Sequence, residues 1–160
     1  MNHPAKGNSF RAETPRLSVR SQRRWERIVI VIALCALVPL GLWVKYHVSG
    51  YFQVWCRDYG AAILYEIFWV FFLRFTSPKT SPRKIALTVF ILTCSLEFLQ
   101  LWRPPWLQWL RSTFLGAALL GTDFDRWDFL YYALGSMAGY FLLEKTIALA
   151  RTYAAKDPRV

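Results

Sequence analysis

Tyr59–Phe75 reads YGAAILYEIFWVFFLRF and Lys84–Trp102 reads KIALTVFILTCSLEFLQLW. Both runs have the length and apolar character of helices that cross a bilayer. Each also carries one acid in its interior, Glu66 in the first and Glu97 in the second. A charged side chain at the centre of a membrane helix costs about 2.5–3.5 kcal/mol on insertion scales, so an acid retained there marks a functional site by default.

Two further runs flank this pair. Ile28–Val44 is uncharged and includes Pro39, and DFLYYALGSMAGYFLLEKTI fills residues 128–147. Pro39 predicts a kink, which a membrane helix tolerates when neighbours satisfy the freed carbonyl. Composition agrees with a bilayer as solvent, at 55% hydrophobic and 18% aromatic residues in a chain of 160. The expected fold is all-α: an integral membrane bundle of four transmembrane helices at about 28–47, 59–75, 84–102 and 128–147.

Residues 106–121, WLQWLRSTFLGAALLG, are too short in their apolar part to cross and are interrupted by Arg111. They predict a short re-entrant or interfacial helix between the third and fourth spans. Residues 1–27 are basic and polar, with Pro4 and Pro15, and predict a disordered cytoplasmic tail. Residues 148–160 predict a C-terminal cytoplasmic tail.

The net charge of +10 is consistent with nucleic-acid binding, but its distribution points elsewhere. With four spans and the N-terminus inside, the tail, Arg74 with the loop SPKTSPRK, and the C-terminal segment from Lys145 place fifteen Lys and Arg inside, against five outside. That is the positive-inside pattern of an inner (plasma) membrane protein with both termini cytoplasmic. The basic N-terminus followed by an apolar run also fits a signal peptide, but the run is long and no small-x-small cleavage pattern follows it. Cys35, Cys56 and Cys94 form no CxxC pair, and His3 and His47 stand alone, so neither a disulfide framework, a metal centre nor a cofactor is expected.

Depth along the two acid-bearing helices is comparable. Glu66 lies about 10 Å below the outer edge of its span and Glu97 about 8 Å below, at 1.5 Å per residue. Gln100 shares a helix face with Glu97. Arg111 has a guanidinium fork suited to a lipid phosphate or to Glu97. Asp128 suits the N-terminus of the last helix, and Tyr132, one turn on, points to the same notch. Trp102, Trp106, Trp109 and Trp127 suit the headgroup layer. DxDxxD at Asp123, Asp125 and Asp128 lacks the glycine and final glutamate of a calcium loop. Gly135-x-x-x-Gly139 predicts close helix packing, within the chain or between copies as a homo-oligomer.

E-x-x-Q, PPW, LR-x-T, LG and WD-x-x-x-YALG occur in order between Glu97 and Gly135, with YEIFW at residues 65–69. This series resembles a bacterial membrane family known as domain of unknown function 2809, and YEIFW looks like the second span of its cyanobacterial members. The resemblance covers roughly residues 28–145 and picks out Glu97, Gln100, Trp106, Leu110, Arg111, Thr113, Gly116, Gly121, Asp128, Tyr132 and Gly135. The acid, Gln, Arg and Asp order is more distantly similar to VanZ-like membrane proteins, associated with glycopeptide resistance. Those commonly carry an Asn before the final-span Gly, where this chain has Tyr132.

The functional expectation is a non-enzymatic envelope protein. It binds an anionic lipid or lipid-linked headgroup in an outer-facing notch formed by Glu97, Gln100, Arg111, Glu66, Asp128 and Tyr132. The alternatives are a membrane enzyme using an intramembrane Glu as acid/base on a lipid phosphate, and a packing subunit of a membrane complex. No Gly-rich phosphate loop, catalytic triad or redox dithiol is present to name a reaction.

Overall fold

A computed structural model describes residues 16–156, which are helical with no strand among them. The helices are α1 (Arg16–His47), α2 (Gln53–Trp55), α3 (Ala61–Thr76), α4 (Pro82–Leu99), α5 (Pro105–Ser112), α6 (Phe114–Leu120) and α7 (Asp128–Lys156). A π-helical stretch, Cys56–Gly60, joins α2 to α3 without a break.

The four long helices α1, α3, α4 and α7 alternate in direction and pack as a diamond, antiparallel along its sides and parallel between α3 and α7. Helices α3 and α7 form its short diagonal, while α1 and α4 flank that pair on opposite sides without touching each other. The contact between α3 and α7 is close because glycine permits it. A Cβ at Gly135 would come within 2.6 Å of Glu66 Cβ, and one at Gly139 within 3.1 Å of Val70. The small-residue stripe is therefore occupied inside the chain, in the manner expected where backbones approach closely.

Ile67, Val70 and Phe71 of α3, Ile85, Ala86 and Val89 of α4, Leu143 and Ile147 of α7 and Ile30 of α1 form the buried apolar core. Below that core, Arg74 Nε donates to Glu26 Oε1 at 2.6 Å, and Arg74 Nη1 donates to the Thr80 carbonyl. Both side chains are buried. This ion pair fastens α1 to the end of α3.

Three expectations need correction. Helix α1 begins at Arg16, so the part of the expected disordered tail from Arg16 to Arg27 is helical; residues 1–15 lie outside the described region. Glu26, Ile30 and Trp25 give this segment partners, with Trp25 lying against Tyr153. At the other end α7 continues to Lys156, into the expected C-terminal tail. The interfacial segment is not one helix but two, α5 and α6, broken at the extended Thr113.

Of the four expected spans, one meets the requirements of length and composition by itself. Among the described residues, only Ser21–His47 is long and apolar enough to cross a membrane by length and composition, with mean hydropathy 2.5. Helix α3 counts only 16 residues because the π-helical turn interrupts its start. Helix α4 carries Arg83, Lys84 and Glu97, and α7 is diluted by tyrosine, glycine, Glu144 and Lys145.

Candidate functional site

Glu97 lies in the last turn of α4, wholly buried, at the end of the bundle where α7 begins. Its Oε1 accepts the Asp125 N–H at 2.7 Å. Its Oε2 accepts from Gln100 Nε2 at 2.9 Å and from the Tyr132 hydroxyl at 3.1 Å. One carboxyl group thus ties α4, the loop before α7 and α7 itself together. The Tyr132 hydroxyl is also 3.4 Å from Asp128 Oδ2, so its single proton has two acid oxygens within reach.

The loop is shaped to deliver that Asp125 N–H. Asp125 Oδ1 accepts from the Trp127 N–H at 2.9 Å, an Asx turn, and Oδ2 accepts from the Tyr59 hydroxyl at 3.4 Å. Tyr59 stacks on Tyr131 with ring centres 4.2 Å apart, and Trp55 Nε1 donates to the Tyr131 hydroxyl. The π-helical turn brings Tyr59 to this position beside the start of α7.

Glu66 lies deeper, between α3, α4 and α7, and is wholly buried. Its Oε2 accepts from Ser136 Oγ, while Oε1 has no hydrogen-bond partner. The Thr93 hydroxyl flanks the carboxyl group, but it donates along its own helix to the Val89 and Phe90 carbonyls. Ser136 follows Tyr132 by four residues, so the partners of Glu66 and Glu97 share one face of α7. A polar file runs from Asp125 and Asp128 through Tyr132 and Glu97 to Ser136 and Glu66, and ends at the apolar core.

Arg111 departs from its expected role. Its Nη1 donates to the Trp102 carbonyl at 3.1 Å and its Nη2 to the Leu99 carbonyl at 2.9 Å. The guanidinium is buried against the C-terminus of α4, where it satisfies carbonyls that a helix end leaves open. It makes no ion pair with Glu97, and its fork is not turned outward toward a phosphate. Of the expected site residues, the structure joins Glu97, Gln100, Tyr132 and Asp128 in one network, with Glu66 beneath them and Arg111 behind the α4 terminus.

Three of the four buried side-chain atoms without a hydrogen-bond partner, among the described residues, belong to these same residues: Glu66 Oε1, Gln100 Oε1 and Arg111 Nε. The fourth is Trp69 Nε1. Gly121, with φ of 68°, lies against Gln100, where a Cβ would come within 2.3 Å of Nε2. Thr113 caps α6 by accepting from the Gly116 N–H, and a Cβ on Gly116 would meet the Leu110 carbonyl oxygen at 1.8 Å. No group of three or more His, Cys, Asp or Glu is placed to hold a metal ion among the described residues.

Residues 51–136 match the family described as "Protein of unknown function (DUF2809)". The chain belongs to this family. The match contains every member of the polar file, from Tyr59 to Ser136, and the turn residues Thr113, Gly116 and Gly121. It is shorter than the expected 28–145: it takes in α2 to α6 and the start of α7, and leaves out α1 and α7 beyond Ser136. No curated protein and no solved structure matches the chain.

Two members of the site escaped the reading of the sequence. Ser136 had a usable signal, its place one turn from Tyr132. Asp125 contributes through its backbone N–H, which no side-chain pattern reports.

Proposed function

We propose that this DUF2809 protein is a four-span membrane protein that binds a lipid-linked polar headgroup at the outer end of the bundle without transforming it. Helices α1, α3 with its α2 lead-in, α4 and α7 would cross the bilayer, with both termini cytoplasmic. The alternating direction of these four helices supports this reading, as does the separation of Trp102, Trp106, Trp109 and Trp127 at one end from Arg74, Lys79, Arg83, Lys84 and Lys145 at the other. The stretch Gln53–Thr76 is about 36 Å long at 1.5 Å per residue, enough for a hydrocarbon core of about 30 Å.

The observation that carries the binding reading is the concentration of unpartnered buried atoms on Glu66, Gln100 and Arg111. A buried polar atom without a partner costs about 1–3 kcal/mol, and a ligand that supplies the missing partners recovers that cost. Two of the three atoms are acceptors and one is a donor. Four acids, Glu66, Glu97, Asp125 and Asp128, stand against a single buried Arg111. The group entering the file therefore offers hydroxyl or amine donors, and an attached phosphate stays at the rim beside the exposed Arg103 and Arg126. This revises the anionic headgroup expected from the sequence, because Arg111 is engaged with carbonyls.

The test is native mass spectrometry of the full chain purified in mild detergent. Wild type is expected to retain a co-purifying lipid, with occupancy reduced about tenfold in Glu66→Gln and Gln100→Leu. Equal occupancy in all three, or no retained lipid in wild type, overturns the reading.

A further inference from the structure

A second feature lies at the opposite end, away from the polar file. A shallow, open cavity of about 330 Å³ lies between α4 and α7, lined by Arg83, Ala86 and Tyr140. Arg83 and Ala86 are three residues apart on α4 and share a face. Arg83 is exposed, while Ala86 is buried in the apolar core and the half-buried Tyr140 packs against that core, so the charge lies on the solvent side and the apolar surface toward the bundle. Charge outward and apolar surface inward is the profile of an amphiphile.

The electrostatics fix its sign. Arg83 makes no ion pair among the described residues, and the sequence has no acid between Glu66 and Glu97. Lys79 and Lys84 are exposed beside Arg83, and Lys145 is exposed on α7. Glu144, four residues beyond Tyr140, is the acid on α7 nearest in sequence to the cavity, and it pairs with none of these cations. Arg83 also occupies the first turn of α4, where Pro82 leads the helix and the Ser81 side chain makes no capping bond. The positive end of the helix dipole therefore adds to the basic side chains.

We propose that this cavity binds an anionic phospholipid of the cytoplasmic leaflet, with its phosphate at Arg83 and its first acyl carbons along Ala86 and Tyr140. Basic pockets between membrane helices on the cytoplasmic side recognise such headgroups through the same combination of charge and depth. Assignment to the cytoplasmic leaflet rests on the four-span topology proposed above; the chemistry of the pocket does not.

The full chain, delipidated in mild detergent, is titrated with short-chain phosphatidylglycerol and, separately, with phosphatidylcholine, and adducts are read by native mass spectrometry. Phosphatidylglycerol is expected to bind and phosphatidylcholine to bind at least fivefold more weakly. Arg83→Gln is expected to weaken phosphatidylglycerol about fivefold, and Glu144→Gln to strengthen it. Arg151→Gln, which removes the same charge from an exposed site outside the cavity, is expected to leave it unchanged. Equal losses in Arg83→Gln and Arg151→Gln overturn the site, since they mean diffuse attraction. Displacement by millimolar inorganic phosphate overturns the lipid assignment. Gln100→Leu tests the outer headgroup reading and is expected to leave phosphatidylglycerol affinity intact, so failure of one proposal is distinguishable from failure of the other.

Discussion

Glu97 and Glu66 are chemically the same side chain in similar apolar runs, yet they are held in different ways. Glu97 receives three hydrogen bonds, from Asp125 N–H, Gln100 and Tyr132, and both its oxygens are engaged. Glu66 receives one, from Ser136, and keeps Oε1 without a partner. Their substitutions are therefore expected to diverge. Glu97→Ala leaves a buried amide N–H, a Gln amide and a Tyr hydroxyl without their acceptor, at about 1–3 kcal/mol for each group left unsatisfied. A loss of several degrees in melting temperature, measured by fluorescence in detergent, is expected. Glu66→Gln keeps an acceptor for Ser136 and is expected to change melting little while reducing lipid retention. A Glu97→Ala protein as stable as wild type would refute the role of this carboxylate as a tie between helices. The sequence marked both acids by the same anomaly, a charge in an apolar run, and only the family resemblance, which picks out Glu97, set one above the other. The difference depends on a backbone N–H brought by the 121–127 loop and on Ser136, which reads in sequence as one of the small residues beside the glycines.

At the scale of the elements, the legible part was the set of long helices, since apolar runs bounded by Pro and charge leave little choice. The rest depended on contacts between elements. The helical start at Arg16 is supported by Glu26, which finds Arg74 across 48 residues of sequence. No local pattern distinguishes that glutamate from one in a solvated tail. Glu26→Ala leaves a buried guanidinium uncompensated, which for buried pairs costs about 3–5 kcal/mol. Joint replacement, Glu26→Leu with Arg74→Leu, is expected to recover most of that loss, because two apolar side chains there need no partners. Melting curves of the single and double variants form the measurement, and a double variant no better than the single one would deny the pair its role. Arg111 acts on an element in the same sense. It closes the C-terminus of α4 through the Leu99 and Trp102 carbonyls. Arg111→Ala is expected to raise hydrogen exchange at residues 99–107 while leaving α1 protected. Unchanged exchange there would mean that water caps the helix as well as arginine does.

For the whole molecule, the decisive matter is how the bundle sits in the bilayer. Among the described residues, helix α1 alone satisfies length and hydropathy without help. If it were the sole crossing, α3, α4 and α7 would stand in water. The surface they present argues against that. Phe72, Phe75, Leu87, Ile91, Leu92, Leu134, Met137, Phe141 and Leu142 are exposed around the bundle, continuing the apolar face of α1. Such a belt far exceeds the scattered apolar residues of a soluble surface. Meanwhile the charged groups within its height, Glu66 and Glu97, are turned inward and hidden, as expected of acids in a bilayer. Four crossings would place Lys79 and Lys145 on one side and Asp123 on the other. A cysteine-free variant carrying a single cysteine at each of these positions in turn decides it, using a membrane-impermeant maleimide on intact cells with outer-membrane access. Cysteine at position 123 is expected to label, and cysteines at 79 and 145 only after lysis. Labelling of all three from one side would leave α1 as the anchor of a peripheral bundle. The exposed belt would then need a protein partner rather than lipid to cover it.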